Sequence, residues 1–312
     1  RASRVKNGDA VNQALDYLLE NDPRAVLLGL DIGTYGSAFK TCKGLLGRHG
    51  AERVIDMPLC ESAGIGFALG ASQVGSRPIY EFQFADFGTE ACTQVGLNCG
   101  TWFFRSGHEA PLLLRLPCGG GVTMGAFHSG EFEGLWSRFP GLKLLYPATA
   151  QETFEAILAG YFDPNPCLVF EHKLLYWSKS GDIDFDGNLA SLWNPRTYCQ
   201  GDDLTIVAFG AMVHESLQAA AKSERSIEVI NPFVLQPLAI APIVESVRKT
   251  GRLLVVQESG ETQGLGDRII SLVSQRCHRT LKSPPRLVSA PDLPVPFAPE
   301  LEGHTRPDWE KI

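Results

Sequence analysis

The chain is predicted to be an α/β protein of two domains, each built on a parallel sheet. Three observations predict this: apolar strand runs without clean alternation, helical stretches between them, and a polar break after which the pattern restarts. Strands that are apolar on both sides are buried on both faces, as in a parallel sheet covered by helices.

Taken in order, Val11, Leu15, Leu18 and Leu19 follow helical spacing after Asp9, and Ala25 to Leu30 is a near-continuous apolar strand. A short apolar run, Val54 to Cys60, leads through Glu61 into the small-residue stretch Ser62 to Ala71, read as a glycine-studded helix. Further strands are expected at Ile79–Phe82, Leu112–Leu116, Leu142–Leu145 and Cys167–Glu171, with a helix over Thr153–Phe162. The polar segment Ser178 to Asp203 lacks periodicity and reads as a linker, so the domains are expected to be residues 1–190 and 191–312. Beyond it, strands are expected at Leu204–Phe209, Ile227–Ile230 and Leu253–Val256, with helices near His214–Lys222 and Ile243–Lys249. No internal repeat or low-complexity tract stands out.

The 312 residues, 44% hydrophobic and 20% charged, suffice for two cores. A net charge of -7 without a Lys/Arg run argues against nucleic acid. No apolar run reaches the roughly 18 residues needed to span a bilayer, so no membrane partner is expected. The eight cysteines are scattered singly with no zinc spacing, which suits reduced thiols in a cytoplasmic or mitochondrial-matrix compartment. Because the chain opens on Arg1, it is expected to be trimmed or numbered from within a longer product.

Glu61 is the first candidate site residue. A carboxylate where a buried strand turns into a helix is expected to be buried against a partner, because burying an unpaired polar group costs about 2–7 kcal/mol. The plainer alternative is that Glu61 caps its own helix. Gln83-Phe84-Ala85-Asp86-Phe87 follows the strand ending at Phe82, beyond the carboxyl end where parallel sheets bind ligands; Phe87 as ordinary core is the default. Cys118-Gly119-Gly120-Gly121 leads through Gly125 to His128-Ser129-Gly130-Glu131. Glycines let backbone approach a ligand and a histidine exchanges protons near neutrality, although a flexible turn is an equal reading of the glycines. The Gly-Lys-Ser/Thr ending of a Walker loop is absent.

These segments together resemble the beta chain of the thiamine-diphosphate-dependent decarboxylating component of 2-oxoacid dehydrogenase complexes, in the transketolase-like superfamily. The resemblance rests on Arg53 to Glu61, Glu81 to Phe87, Phe127-His128-Ser129, Pro140 to Lys143, Glu171 to Tyr176 and Gly251 to Glu258, and runs from about Asp9 to the end. It implies a pyrimidine-binding domain followed by a transketolase C-terminal-like domain. It further implies that Glu61 bonds the aminopyrimidine ring nitrogen, that Phe87 stacks on that ring with Gln83 nearby, and that His128 assists acyl transfer to a lipoyl arm. A potassium ion, held largely by main-chain oxygens, is implied near Gly160, Tyr161, Asp163 and Asn165, with a structural acidic turn as the alternative.

No Gly-Asp-Gly motif for the diphosphate and its Mg2+ occurs in the chain. The resemblance therefore implies an alpha chain that supplies it, in an α2β2 heterotetramer, or fusion to such a chain. The implied reaction is oxidative decarboxylation of a 2-oxo acid, with Gln83 to Asp86 nearer to branched-chain than to pyruvate examples, and the acyl group passes to a lipoyl acyltransferase. The alternatives are pyruvate or acetoin as substrate, and a catalytically altered or regulatory partner of the same fold. The last is raised by Leu30, where the family commonly has glutamate, and by Gly130, where it commonly has glutamine. The linker also reads Trp193 to Thr197 in place of the usual Gly-Lys-Ala.

Overall fold

The computed structural model describes residues 4–185, 187–188 and 190–312. The first sheet has seven strands in the order Val234–Gln236, Lys143–Leu145, Cys167–His172, Leu113–Cys118, Arg77–Glu81, Ala25–Gly29, Val54–Asp56. All pair in parallel except Val234–Gln236, which runs antiparallel to Lys143–Leu145. The second sheet has five strands in the order Arg286–Ala290, Leu253–Gly260, Leu204–Ala208, Ile227–Asn231, Arg196–Cys199, the last antiparallel.

Neighbouring residues of one strand feed opposite faces, which is why the strands read as apolar throughout. Leu27, Ile79, Leu113 and Val169 pack with Leu15 and Leu18 of the helix Asn7–Asn21. Leu28, Tyr80, Leu114 and Phe170 pack on the other side with Ile65 and Ala68 of the helix Glu61–Gln73. Each such side chain contributes about 1.5–3 kcal/mol when fully buried. In the second domain Val207, Ile230 and Val255 meet the helices Ile240–Thr250 and Leu265–Cys277, while Ile206, Val229 and Val256 meet the helix Met212–Lys222.

Three features depart from the expectation. The segment read as a linker holds the edge strand Arg196–Cys199; Asp186 and Leu189 of that segment lie outside the described residues. An edge strand needs only one partner and one covered face, so its composition stays polar. Val234–Gln236 follows a second-domain strand yet completes the first sheet, stitching the domains together. The helix Leu265–Cys277 and the strand Arg286–Ala290 were not anticipated. All eight cysteines are free thiols. Among the described residues no helix is long and apolar enough to cross a membrane.

Candidate active site

The site forms beyond the carboxyl ends of adjacent first-sheet strands, where chain direction leaves a crevice. Under its floor lies a buried charge network. Glu81 and Arg115 sit side by side in register on neighbouring strands and form an ion pair. Arg115, fully buried, also grips both oxygens of Glu171 at 2.7 and 2.8 Å. Tyr176 donates its hydroxyl to Glu171, and Thr41 and Cys42 donate to Glu81 at 3.3 Å. Burial pushes the Glu81 carboxyl up against the opposing pull of Arg115.

Glu61 begins the helix Glu61–Gln73, whose small residues let it lie close to the sheet: a Cβ on Gly64 would come within 2.5 Å of the Tyr80 ring. Glu61 is half-buried rather than fully buried as expected, because the strand end opens to the crevice. Its carboxylate has no hydrogen bond among the described residues; it lies in the first turn of the helix, whose N-cap, Cys60, makes no side-chain capping bond. Burial, with Glu61 and Cys60 alongside, pushes the Tyr80 hydroxyl up to about 12. Ser62, the next residue, donates to the Glu90 carbonyl at 3.2 Å and ties this helix end to the 3-10 turn Ala85–Ala91 that carries Phe87.

Phe87 is half-buried, its ring edge-on to Phe84 at 5.5 Å and to His128 at 5.4 Å. His128 lies still closer to Phe84, at 4.5 Å with planes at 86°. Gln83 donates to Asp31 at 3.2 Å. Phe84, Phe87 and His128 therefore form one aromatic group, Gln83 immediately precedes Phe84 in the chain, and the Ser62 bond ties the helix that begins at Glu61 to the turn bearing Phe87.

Sequence reasoning gave Asp86 no task. Its Oδ1 accepts the Gly130 N–H at 3.1 Å, and its Oδ2 is buried with no partner. Burial pushes its carboxyl up, opposed chiefly by the Gly130 N–H. Gly130 is closely covered: a Cβ there would lie 2.3 Å from the Phe132 ring and 2.8 Å from Asp86 Oδ1, so one of these side chains would have to shift.

A second polar cluster, also missed, joins the two domains. Glu258 Oε2 meets His172 Nε2 and Arg306 Nη2, each at 2.9 Å, and its Oε1 accepts the Gly120 N–H at 2.7 Å. Tyr146 donates to Glu131 at 2.7 Å, and Lys173 donates to the Gly119 carbonyl at 2.6 Å. Burial alone would raise the Glu258 carboxyl, but His172 and Arg306 hold it well below the usual carboxylate range. Burial lowers His172 against the pull of Glu258, and burial, with Glu133 and Glu258 adding to it, pushes Glu131 well up. Glu131, His172 and Glu258 bring ligand-type atoms within 4.8 Å of one another, and Arg306 already pairs with the Glu258 carboxylate. The signal available in the sequence was ionisable residues inside apolar runs, as at Glu81, Arg115, Glu171 and His172.

The turn after the helix Ala150–Phe162 holds Gly160, Tyr161, Asp163 and Asn165. Asp163 Oδ2 pairs with Lys143 and its Oδ1 accepts the Asn165 N–H at 2.8 Å, while Arg77 occupies the Tyr161 carbonyl. Gly160 is packed against Leu113 and Cys167. Two cationic side chains, Lys143 and Arg77, thus contact this turn.

Residues 3–178 match the family described as transketolase, pyrimidine binding domain, and residues 196–312 match transketolase, C-terminal domain. The 2-oxoisovalerate dehydrogenase subunit beta of Bacillus subtilis (strain 168) is 34% identical over 97% of this chain and 95% of its own. The pyruvate dehydrogenase E1 component subunit beta of the same organism is 35% identical, covering 93% of this chain and 90% of its own. A solved structure titled "Split gene transketolase, inactive beta4 tetramer" superposes with a TM-score of 0.72 at 23% identity, covering 93% of this chain and 91% of that one. That likeness speaks to the fold.

Proposed function

The chain belongs to the beta chains of thiamine-diphosphate-dependent 2-oxoacid dehydrogenases, and on that premise we propose that Glu61, Phe87 and His128 form the beta-chain half of its active site. The single observation that carries this is the half-buried, unbonded Glu61 carboxylate tied through Ser62 to the turn bearing Phe87.

Thiamine diphosphate, when bound, supplies the electron sink for decarboxylating a 2-oxo acid. Glu61 holds a proton at the pyrimidine nitrogen, and partial exclusion of water strengthens that shared hydrogen bond. Phe87 stacks on the pyrimidine ring and so orients it, with Gln83, held by Asp31, nearby. His128, fixed by two aromatic edges, donates or carries a proton as the acyl group leaves for a lipoyl arm. The diphosphate and Mg2+ fall to an alpha-type chain in an α2β2 assembly, because this chain has no Gly-Asp-Gly motif. In this reading the domains divide at 190/191, between the two matched ranges.

The test is to assemble the chain with its alpha-type partner and assay thiamine-diphosphate-dependent decarboxylation of branched 2-oxo acids and of pyruvate. Turnover supports the reading and its preference identifies the side chain; an assembled enzyme inactive on every 2-oxo acid overturns it in favour of an altered, regulatory beta chain.

A further inference from the structure

The loop 119–130 that ends in His128 has few apolar anchors of its own, yet its backbone is closely specified. Gly119, Gly121, Thr123 and Gly125 all have positive φ, of 82°, 81°, 57° and 73°. Left-handed residues alternating with ordinary ones turn successive amides toward one side, a concavity that binds anions. Here the anions come from the far end of the same chain. Glu302, in the helix Pro299–Thr305, accepts the Gly121 N–H on one oxygen and the Thr123 N–H on the other, at 2.7 and 2.9 Å. Glu258 takes the Gly120 N–H at 2.7 Å.

The same C-terminal segment closes over the loop sterically. A Cβ on Gly125 would lie 2.4 Å from Phe297, and one on Gly121 would lie 2.8 Å from Arg306. Glu302 is itself buried, at 3% exposure, with both oxygens committed to the loop. A carboxylate spent wholly on two backbone amides contributes nothing to packing that an apolar side chain could not. It does fix where those amides lie. His128 follows five residues later, its own N–H bonded to the Gly125 carbonyl at 3.2 Å, so the grip is transmitted along a short stretch of chain.

We propose that Glu302 is a positioning residue for acyl transfer: its two-amide grip on the glycine loop sets the place of the His128 ring. The proposal rests on the assignment of His128 above. The C-terminal helix is then part of the reaction apparatus although it touches no reactant.

The experiment is a double-mutant cycle in the assembled enzyme, with thiamine diphosphate and a lipoyl domain as acyl acceptor. Glu302→Ala, His128→Ala and the pair are compared by rate of acyl transfer, with assembly and melting temperature recorded for each. Glu302→Ala should slow acyl transfer about tenfold or more beside an intact His128, the scale of a lost hydrogen bond to a charged group, and less than about twofold in the His128→Ala background. Glu302→Gln, which keeps one acceptor oxygen, should fall between, and it carries the cycle should Glu302→Ala not assemble. Equal losses in both backgrounds, or no loss beside intact His128, overturn the proposal. If His128→Ala alone leaves acyl transfer unchanged, the His128 assignment fails instead.

Discussion

His128 meets Phe84 edge to face, centroids 4.5 Å apart, while Phe84 in turn stands edge-on to Phe87 and to Phe39. The ring is therefore held by a chain of aromatic contacts reaching from the crevice to the first core. Such pairs contribute about 0.5–1.5 kcal/mol each. Phe84→Ala should leave assembly intact and slow acyl transfer about two- to tenfold, measured by single-turnover acylation of a lipoyl domain. An unchanged rate would show that His128 is placed without Phe84.

Gly130 stands where the family commonly carries glutamine. With Phe132 2.3 Å and Asp86 2.8 Å from where a Cβ would sit, a glutamine there requires these side chains to shift. Gly130→Gln should therefore lower both melting temperature and turnover. Higher turnover in that variant would mean the glycine had weakened the site rather than reshaped it.

Arg115 compensates Glu81 and Glu171, both 2% exposed. Removing one partner of a buried ion pair while leaving the other costs about 3–5 kcal/mol. Arg115→Met should thus destabilise the chain by about that amount in denaturant unfolding. A loss under about 1 kcal/mol would mean the carboxylates are neutral or hydrated in the folded chain.

His172 and His214 are both lowered from the usual 6.5, burial being the first cause for each. The folded chain resists protonating them while the unfolded chain does not. Their contribution is therefore complete above about pH 6.5 and is lost as pH falls below it. Glu258, held below the usual 4.5, loses its contribution only at more acidic pH and stays out of this window. Glu131, pushed well up, works in the opposite direction, so the readout is the difference: between pH 7.5 and 5 the parent should lose more melting temperature, or gain less, than His172→Gln. Parallel curves for the two proteins would contradict the assignment.

The α/β layering was readable because double-faced burial writes itself into each strand as an unbroken apolar run, as at Ala25–Leu30 and Cys167–Phe170. Glu61, Gln83, Phe87 and His128 were singled out because each lies beyond the carboxyl end of such a run. What stayed hidden depends on partners far away in sequence. Glu81, Arg115 and Glu171 make sense only once sheet order sets their strands side by side. Glu302 and Thr123 are 179 residues apart, and no local pattern joins them. Glu61 was expected to be buried, and its half-exposure follows from the open strand end rather than from any neighbour in the chain.

The most direct test is Glu61→Gln in the enzyme assembled with its alpha-type chain and thiamine diphosphate, measuring decarboxylation of the preferred 2-oxo acid. The amide keeps the shape of the side chain but cannot share the proton, so assembly and melting temperature should be unchanged and turnover nearly abolished. Retention of most of the turnover would contradict the central assignment.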